Sequence, residues 1–181
     1  MQDGYKTLEK EASDSFIIKK SRFTGYGSPA RSEQEALDFL ARIKAETKDA
    51  NHHCYAYIIG RNAGVMRYSD DGEPGGTAGL PIIETMKARG VVDCAVVVTR
   101  WFGGILLGAG GLTRAYVQGA KCALDAARVV TMEDSVRFWA EVPYSLWDRL
   151  DYALNSMPVC RDGTEFSAQV TATLVVRKRD R

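Results

Sequence analysis

The chain has 181 residues, 45% of them hydrophobic and 26% charged, and its 24 Lys plus Arg against 23 Asp plus Glu leave a net charge of +1. This mixture belongs to a globular protein that folds without disulfide or metal staples, and it excludes a disordered, collagen-like or low-complexity chain. Near-neutrality also excludes general attraction to polyanions, so any nucleic-acid contact must come from a local patch.

The first sixteen residues carry acidic side chains and no apolar stretch of the signal-peptide kind. No apolar run approaches the ~18 residues of a membrane span, so the expectation is a cytoplasmic chain without membrane contact. Cys54, Cys94, Cys122 and Cys160 form no CxxC pair and are expected to be reduced thiols. Residues 15–19 and 22–28 have β character and predict a hairpin around Lys20-Ser21. Ser32, with Glu35 three positions later, has the spacing of a capping box. The helix it opens places Ala36, Leu37, Leu40 and Ile43 on one inner face. Residues 53–59 and 65–69 predict paired strands, followed by an acidic, glycine-rich loop from Ser69 to Gly79.

Pro81 is expected at the first position of a helix that stops at Gly90. Val91 to Thr99 is the apolar run of a central strand buried on both faces. Gly103 to Gly111 then leads into a helix over 112–128, whose inner stripe is small: Ala115, Gly119, Ala120, Ala123 and Ala126. The first domain is expected to span 1–133. From 134 to 181 the pattern is strand (136–142), helix (144–157, with Leu146, Leu150 and Leu154 inward), a turn at Arg161–Thr164, and strand (166–176). This β-α-β-β order lacks the helix and strand that complete a ferredoxin-like sheet, which predicts an exposed edge or completion by a second chain.

Three segments carry candidate chemistry. Asp70, Asp71 and Glu73 either supply hard oxygen ligands for Mg2+ or cap the following helix. In Thr99–Gly104, Arg100 beside Trp101 and Phe102 has the means to stack on bases or fork onto phosphate. Gly103, Gly104, Gly110, Gly111 and Thr113 allow close backbone approach and offer an anion the helix N-terminus, but the run lacks a P-loop lysine and the dinucleotide spacing. His52 and His53, adjacent on a strand, point to opposite faces and do not form a zinc pair; His53 is expected to face a cleft. Lys20 and Arg22 complete a small basic cluster.

The segments HHCYAYIIG, YSDDGEPGGTAGLPI and VVVTRWFGGILLGAGGLTRAY together resemble the YigZ/IMPACT family, the likeness running from Lys19 to about Ala127. Residues 134–181 resemble the small second domain of bacterial members. The resemblance implies an α+β chain: a first domain like the second domain of ribosomal small-subunit protein five, then a partial ferredoxin-like domain like the last domain of elongation factor G. Eukaryotic members add an RWD module and restrain a stress kinase of translation initiation; nothing here resembles RWD, so that partner does not carry over.

The leading expectation is a non-enzymatic module that contacts RNA, the ribosome or a translation factor, without a cofactor and without sequence-specific DNA binding. Lys20, Arg22, His53, Arg100 and Trp101 would make the contact, with Trp101 or Phe102 stacking on a base. This requires Arg100, the glycine bend and the acidic loop to share one open pocket. The alternatives are a metal-dependent enzyme acting on a phosphorylated or peptide-like substrate, with Asp70, Asp71 and Glu73 holding Mg2+ and His53 moving protons, and a protein-interaction module that dimerises through its second domain.

Overall fold

A computed structural model describes residues 4–180, which divide into a larger unit, Tyr5–Thr131, and a smaller one from Met132 onward that also takes in Gly4. The larger unit is built on a five-stranded antiparallel sheet. Its strands are β2 (Ala12–Ile18), β3 (Ser21–Pro29), β4 (His52–Ile59), β5 (Val65–Ser69) and β6 (Cys94–Trp101), in the order β2-β3-β6-β4-β5. Helix α1 (Glu33–Glu46) covers one face; α2 (Gly79–Arg89) and α3 (Ala109–Ala127) cover the other. β6 sits in the middle, and every residue from Cys94 to Arg100 is buried. The continuous apolar run thus arises from helices on both faces, although the strands are antiparallel. Two short strands that the sequence did not reveal, β1 (Gly4–Leu8) and β7 (Val129–Glu133), form a separate ladder.

Local rules explain most boundaries. Ser32 Oγ accepts from Glu35 N at 3.2 Å, while the Glu35 carboxylate reaches back to Arg31 N at 2.7 Å, one residue earlier than a capping box requires. The inner face of α1 is Ala36, Phe39 and Ile43; Leu37, expected inside, is exposed. Pro81 stands at the third position of α2 rather than the first, because Asp70 holds the helix start two residues earlier. Gly90 terminates α2 with φ +67°, as its position after the last helical residue requires. α3 begins at Ala109, three residues before the expected start, so Gly110 and Gly111 lie in its first turn. The small stripe lets α3 lie tight on the sheet: a methyl group on Gly25 would come within 2.1 Å of the Gly119 carbonyl oxygen.

The smaller unit contains β8 (Ser135–Val142), α4 (Tyr144–Leu154), β9 (Val159–Phe166) and β10 (Val170–Arg177), in the sheet order β8-β10-β9. This is the first-third-second strand arrangement of a ferredoxin-like sheet. Residues 161–163 lie within β9 rather than in a turn. The pairing skips Asp162, because Thr173 faces Gly163 while Leu174 faces Arg161, and the chain reverses instead between β9 and β10. Leu154 packs with Ala172 and Leu174, and Trp147 and Leu150 join them, whereas Leu146 is exposed.

Candidate functional site

Most of the residues singled out in the sequence collect at one end of the large sheet, where β4 begins and β6 ends. Because side chains alternate across a strand, consecutive residues separate to opposite faces here. Arg100, opposite His52 on β4 and Phe23 on β3, faces α3; Trp101, opposite Arg22, faces the α1 side.

On the α3 side lies a buried polar cluster. Arg100 is only 5% exposed, and its Nη1 donates to both Glu73 oxygens at 2.7 and 3.0 Å. Tyr116 OH donates to Glu73 Oε1 at 2.8 Å. The guanidinium also lies 5.6 Å from the Phe23 ring and 5.4 Å from the Phe102 ring. Burial pushes the Tyr116 hydroxyl and the Cys54 thiol well above their ordinary values, with Glu73 adding to both. Arg100 is therefore a charge sealed inside an ion pair, and the expected pocket open around it does not form.

The acidic loop is a set of caps and clasps. Asp70 Oδ1 accepts from Ala78 N and Gly79 N at 3.0 and 2.8 Å, and Oδ2 accepts from Gly76 N at 2.9 Å, so this carboxylate starts α2. Asp71 accepts from His53 N at 2.6 Å and pairs with Lys44 Nζ at 3.2 Å. Glu73 belongs to Arg100. The three carboxylates diverge, and among the described residues no three His, Cys, Asp or Glu side chains group in a way that would hold a metal. His53 is 8% exposed, its Nε2 2.9 Å from Thr47 Oγ1 and 3.1 Å from the Thr47 carbonyl, so it faces no cleft. His52 Nδ1 lies 2.8 Å from the Asp71 carbonyl on the opposite face. His52 Nε2 lies 4.0 Å from Glu73 Oε2.

On the α1 side and at the sheet's tip, a different set stays open. Ile18 pairs with Ser21, leaving Lys19 and Lys20 as the two residues of the hairpin turn, at φ +45° and +66°. Both are exposed. The guanidinium of exposed Arg22 lies 3.8 Å over the Trp101 ring. Gly103 N donates to Ser21 Oγ at 3.1 Å, and a methyl group on Gly103 would collide with the Lys20 carbonyl. Phe102 N donates to Asn51 Oδ1 at 2.7 Å. These bonds clamp the loop after β6 to the hairpin, while Phe102, Ile105 and Leu106 turn outward, Leu106 at 80% exposure. Gly104 is exposed at φ +81°, and Thr113 Oγ1 donates to the Ala109 carbonyl within α3's first turn.

Arg22 and Trp101 thus lie together on the α1 side of the tip and Gly103 is held against Lys20 and Ser21, while the Phe102 ring lies toward Arg100; Arg100 and His53 are withdrawn from the surface. Lys19 shares the two-residue turn with Lys20, one residue earlier than the Lys20-Ser21 turn expected from the sequence.

The model of the Impact N-terminal domain matches residues 19–124. The chain belongs to the IMPACT family. YvyE, an IMPACT family member of Bacillus subtilis, is 45% identical over 130 residues, covering 72% of this chain and 60% of the relative. A Thermus thermophilus IMPACT family member is 44% identical over 128 residues, covering 71% and 68%. The crystal structure of a hypothetical protein matches 99% of this IMPACT chain and 88% of its own at TM-score 0.70 and 28% identity. The alignments span 53–60% of the first three curated relatives. The family region contains the hairpin tip, the acidic loop and the aromatic loop. No helix among the described residues is long and apolar enough to cross a membrane.

Proposed function

We propose that this IMPACT-family chain is a non-catalytic, translation-associated module that contacts RNA through the hairpin tip and the loop after β6. The observation that carries the reading is the Lys19-Lys20 turn. Two-residue hairpin loops with both residues in the left-handed region favour Asn and Gly, and a side chain there costs roughly 1–2 kcal/mol. Two lysines hold those positions instead, with Arg22 stacked on Trp101 immediately beside them. Strain retained at an exposed cationic tip is the pattern expected of a contact surface.

Phosphates would be met by Lys19, Lys20 and Arg22, and unpaired bases by the exposed face of Phe102. The buried Glu73–Arg100–Tyr116 cluster supports this surface from beneath by fixing where β6 ends. Assignment to translation rests on the family resemblance and its ribosomal-protein-like first domain. Co-sedimentation with ribosomes tests it. The wild type should pellet with ribosomes at low salt and be released at high salt, and Arg22→Glu should stay in the supernatant while its melting temperature changes little. Equal pelleting of wild type and Arg22→Glu, or none for either, would overturn the reading.

A further inference from the structure

Helices α2 and α3 lie side by side on one face of the large sheet and run in the same direction. Glu73, just before α2, meets Tyr116 early in α3, and the Arg89–Asp125 ion pair links the two helix ends. Between their outer surfaces is a cavity of about 540 Å3, open to solvent. One wall follows Leu80, Glu84 and Ala88, and the other Thr113, Val117 and Lys121, each a row of residues four apart. At 1.5 Å per residue such a row runs about 12 Å. The contacts proposed for RNA use none of these residues.

Hydrogen bonding makes this lining more apolar than its composition. Thr85 Oγ1 donates to the Pro81 carbonyl at 2.8 Å and Thr113 Oγ1 to the Ala109 carbonyl at 3.1 Å, so both hydroxyl protons are spent inside their own helices. Pro81 is buried, Val117 half-buried, and Leu80 is 41% exposed. The charged side chains are paired, with one exception. Glu84 holds Lys87 Nζ at 2.8 Å, and Arg89 holds Asp125. The ammonium of Lys121, at the end of the groove where α2 stops, has no hydrogen-bond or ion-pair partner among the described residues. An apolar trough with a single uncompensated cation at one end is complementary to an apolar tail bearing one anionic head. No aromatic side chain lines the trough, so nothing there favours a ring over a flexible chain.

We propose that the groove between α2 and α3 binds a medium-chain aliphatic carboxylate, its head paired with Lys121 and its tail laid along Val117 toward Leu80 and Pro81. The cavity volume falls within the roughly 300–1,000 Å3 of small-molecule sites. A docked protein is the weaker occupant. Four apolar residues along about 12 Å of helix supply only a small part of the roughly 800 Å2 that each partner of a stable protein interface buries.

NMR titration of the methyl-labelled full chain at low salt, with octanoate and with octanol, tests it. Octanoate should shift the Val117 and Leu80 methyl signals and bind about 3–5-fold more tightly than octanol, which has the same tail without the charge. Hexanoate, two methylenes shorter, should bind roughly 10-fold more weakly than octanoate. Lys121 and Ala88 are both exposed, so substitutions there leave the core untouched. Lys121→Glu should weaken octanoate at least ~10-fold and leave octanol unchanged, the octanol arm showing that the trough itself survives. Ala88→Phe fills the trough and should weaken both. Shifts absent from those methyls, equal binding of octanoate and octanol, or either variant binding octanoate as the wild type does would overturn the proposal. So would an acidic amphipathic helical peptide that binds more tightly than octanoate at the same methyls, which would assign the groove to a protein partner.

Discussion

Glu73, 7% exposed, accepts from both Arg100 and Tyr116, and His52 Nε2 lies 4.0 Å from its Oε2. Removing one partner of such a pair leaves a buried charge uncompensated. Glu73→Ala is therefore predicted to cost about 3–5 kcal/mol in urea unfolding, whereas Glu73→Met/Arg100→Met, which removes both charges, should recover most of that loss. An equal cost for single and double variants would contradict a pair held by its own charges. Cys94 and Cys54 make a second prediction at this scale. Burial pushes the Cys94 thiol up to about 12, with Asp93 adding, and raises Cys54 further. In the unfolded chain both release their protons near the ordinary thiol value, so above it the unfolded state binds fewer protons and stability falls as pH rises. The fall should reach about 1.4 kcal/mol per pH unit for each thiol. Urea midpoints measured from neutral to alkaline pH should show it, and Cys94→Ala should flatten the slope.

Between elements, close approach and capping decide where segments meet. Asp70 satisfies three backbone N–H groups around the start of α2, so Asp70→Ala is predicted to destabilise by about 1–3 kcal/mol, and Asp70→Asn by less. Thermal unfolding measures the difference. Much of this level was legible from the chain itself: the β6 apolar run, the Ser32 start, the Gly90 stop and the small stripe of α3 all follow from local chemistry. What was not legible depended on partners far along the sequence. Arg100 has the composition of a ligand-binding residue, and only the path of the loop from Ser69 to Gly79 brings Glu73 to neutralise it. His53 faced inward because β4 turned that side of the strand toward Thr47. β1 and β7 escaped notice because each is five residues long and they pair across more than a hundred residues.

For the molecule as a whole, net charge near zero means that an RNA contact must be local, and the tip formed by Lys19, Lys20, Arg22 and the loop after Trp101 is a place where exposed cations and aromatics meet. The same turn that supplies the charge carries backbone strain, so stability and binding should respond in opposite directions when it is relieved. The most direct test is an anisotropy titration of single-stranded RNA with Lys19→Asn/Lys20→Gly, run beside a thermal melt. The account predicts that this variant melts higher, by about 1–2 kcal/mol of added stability, while binding RNA at least ~10-fold more weakly and with a shallower dependence on salt. A variant that is more stable yet binds RNA as the wild type does, with the same salt dependence, would contradict it.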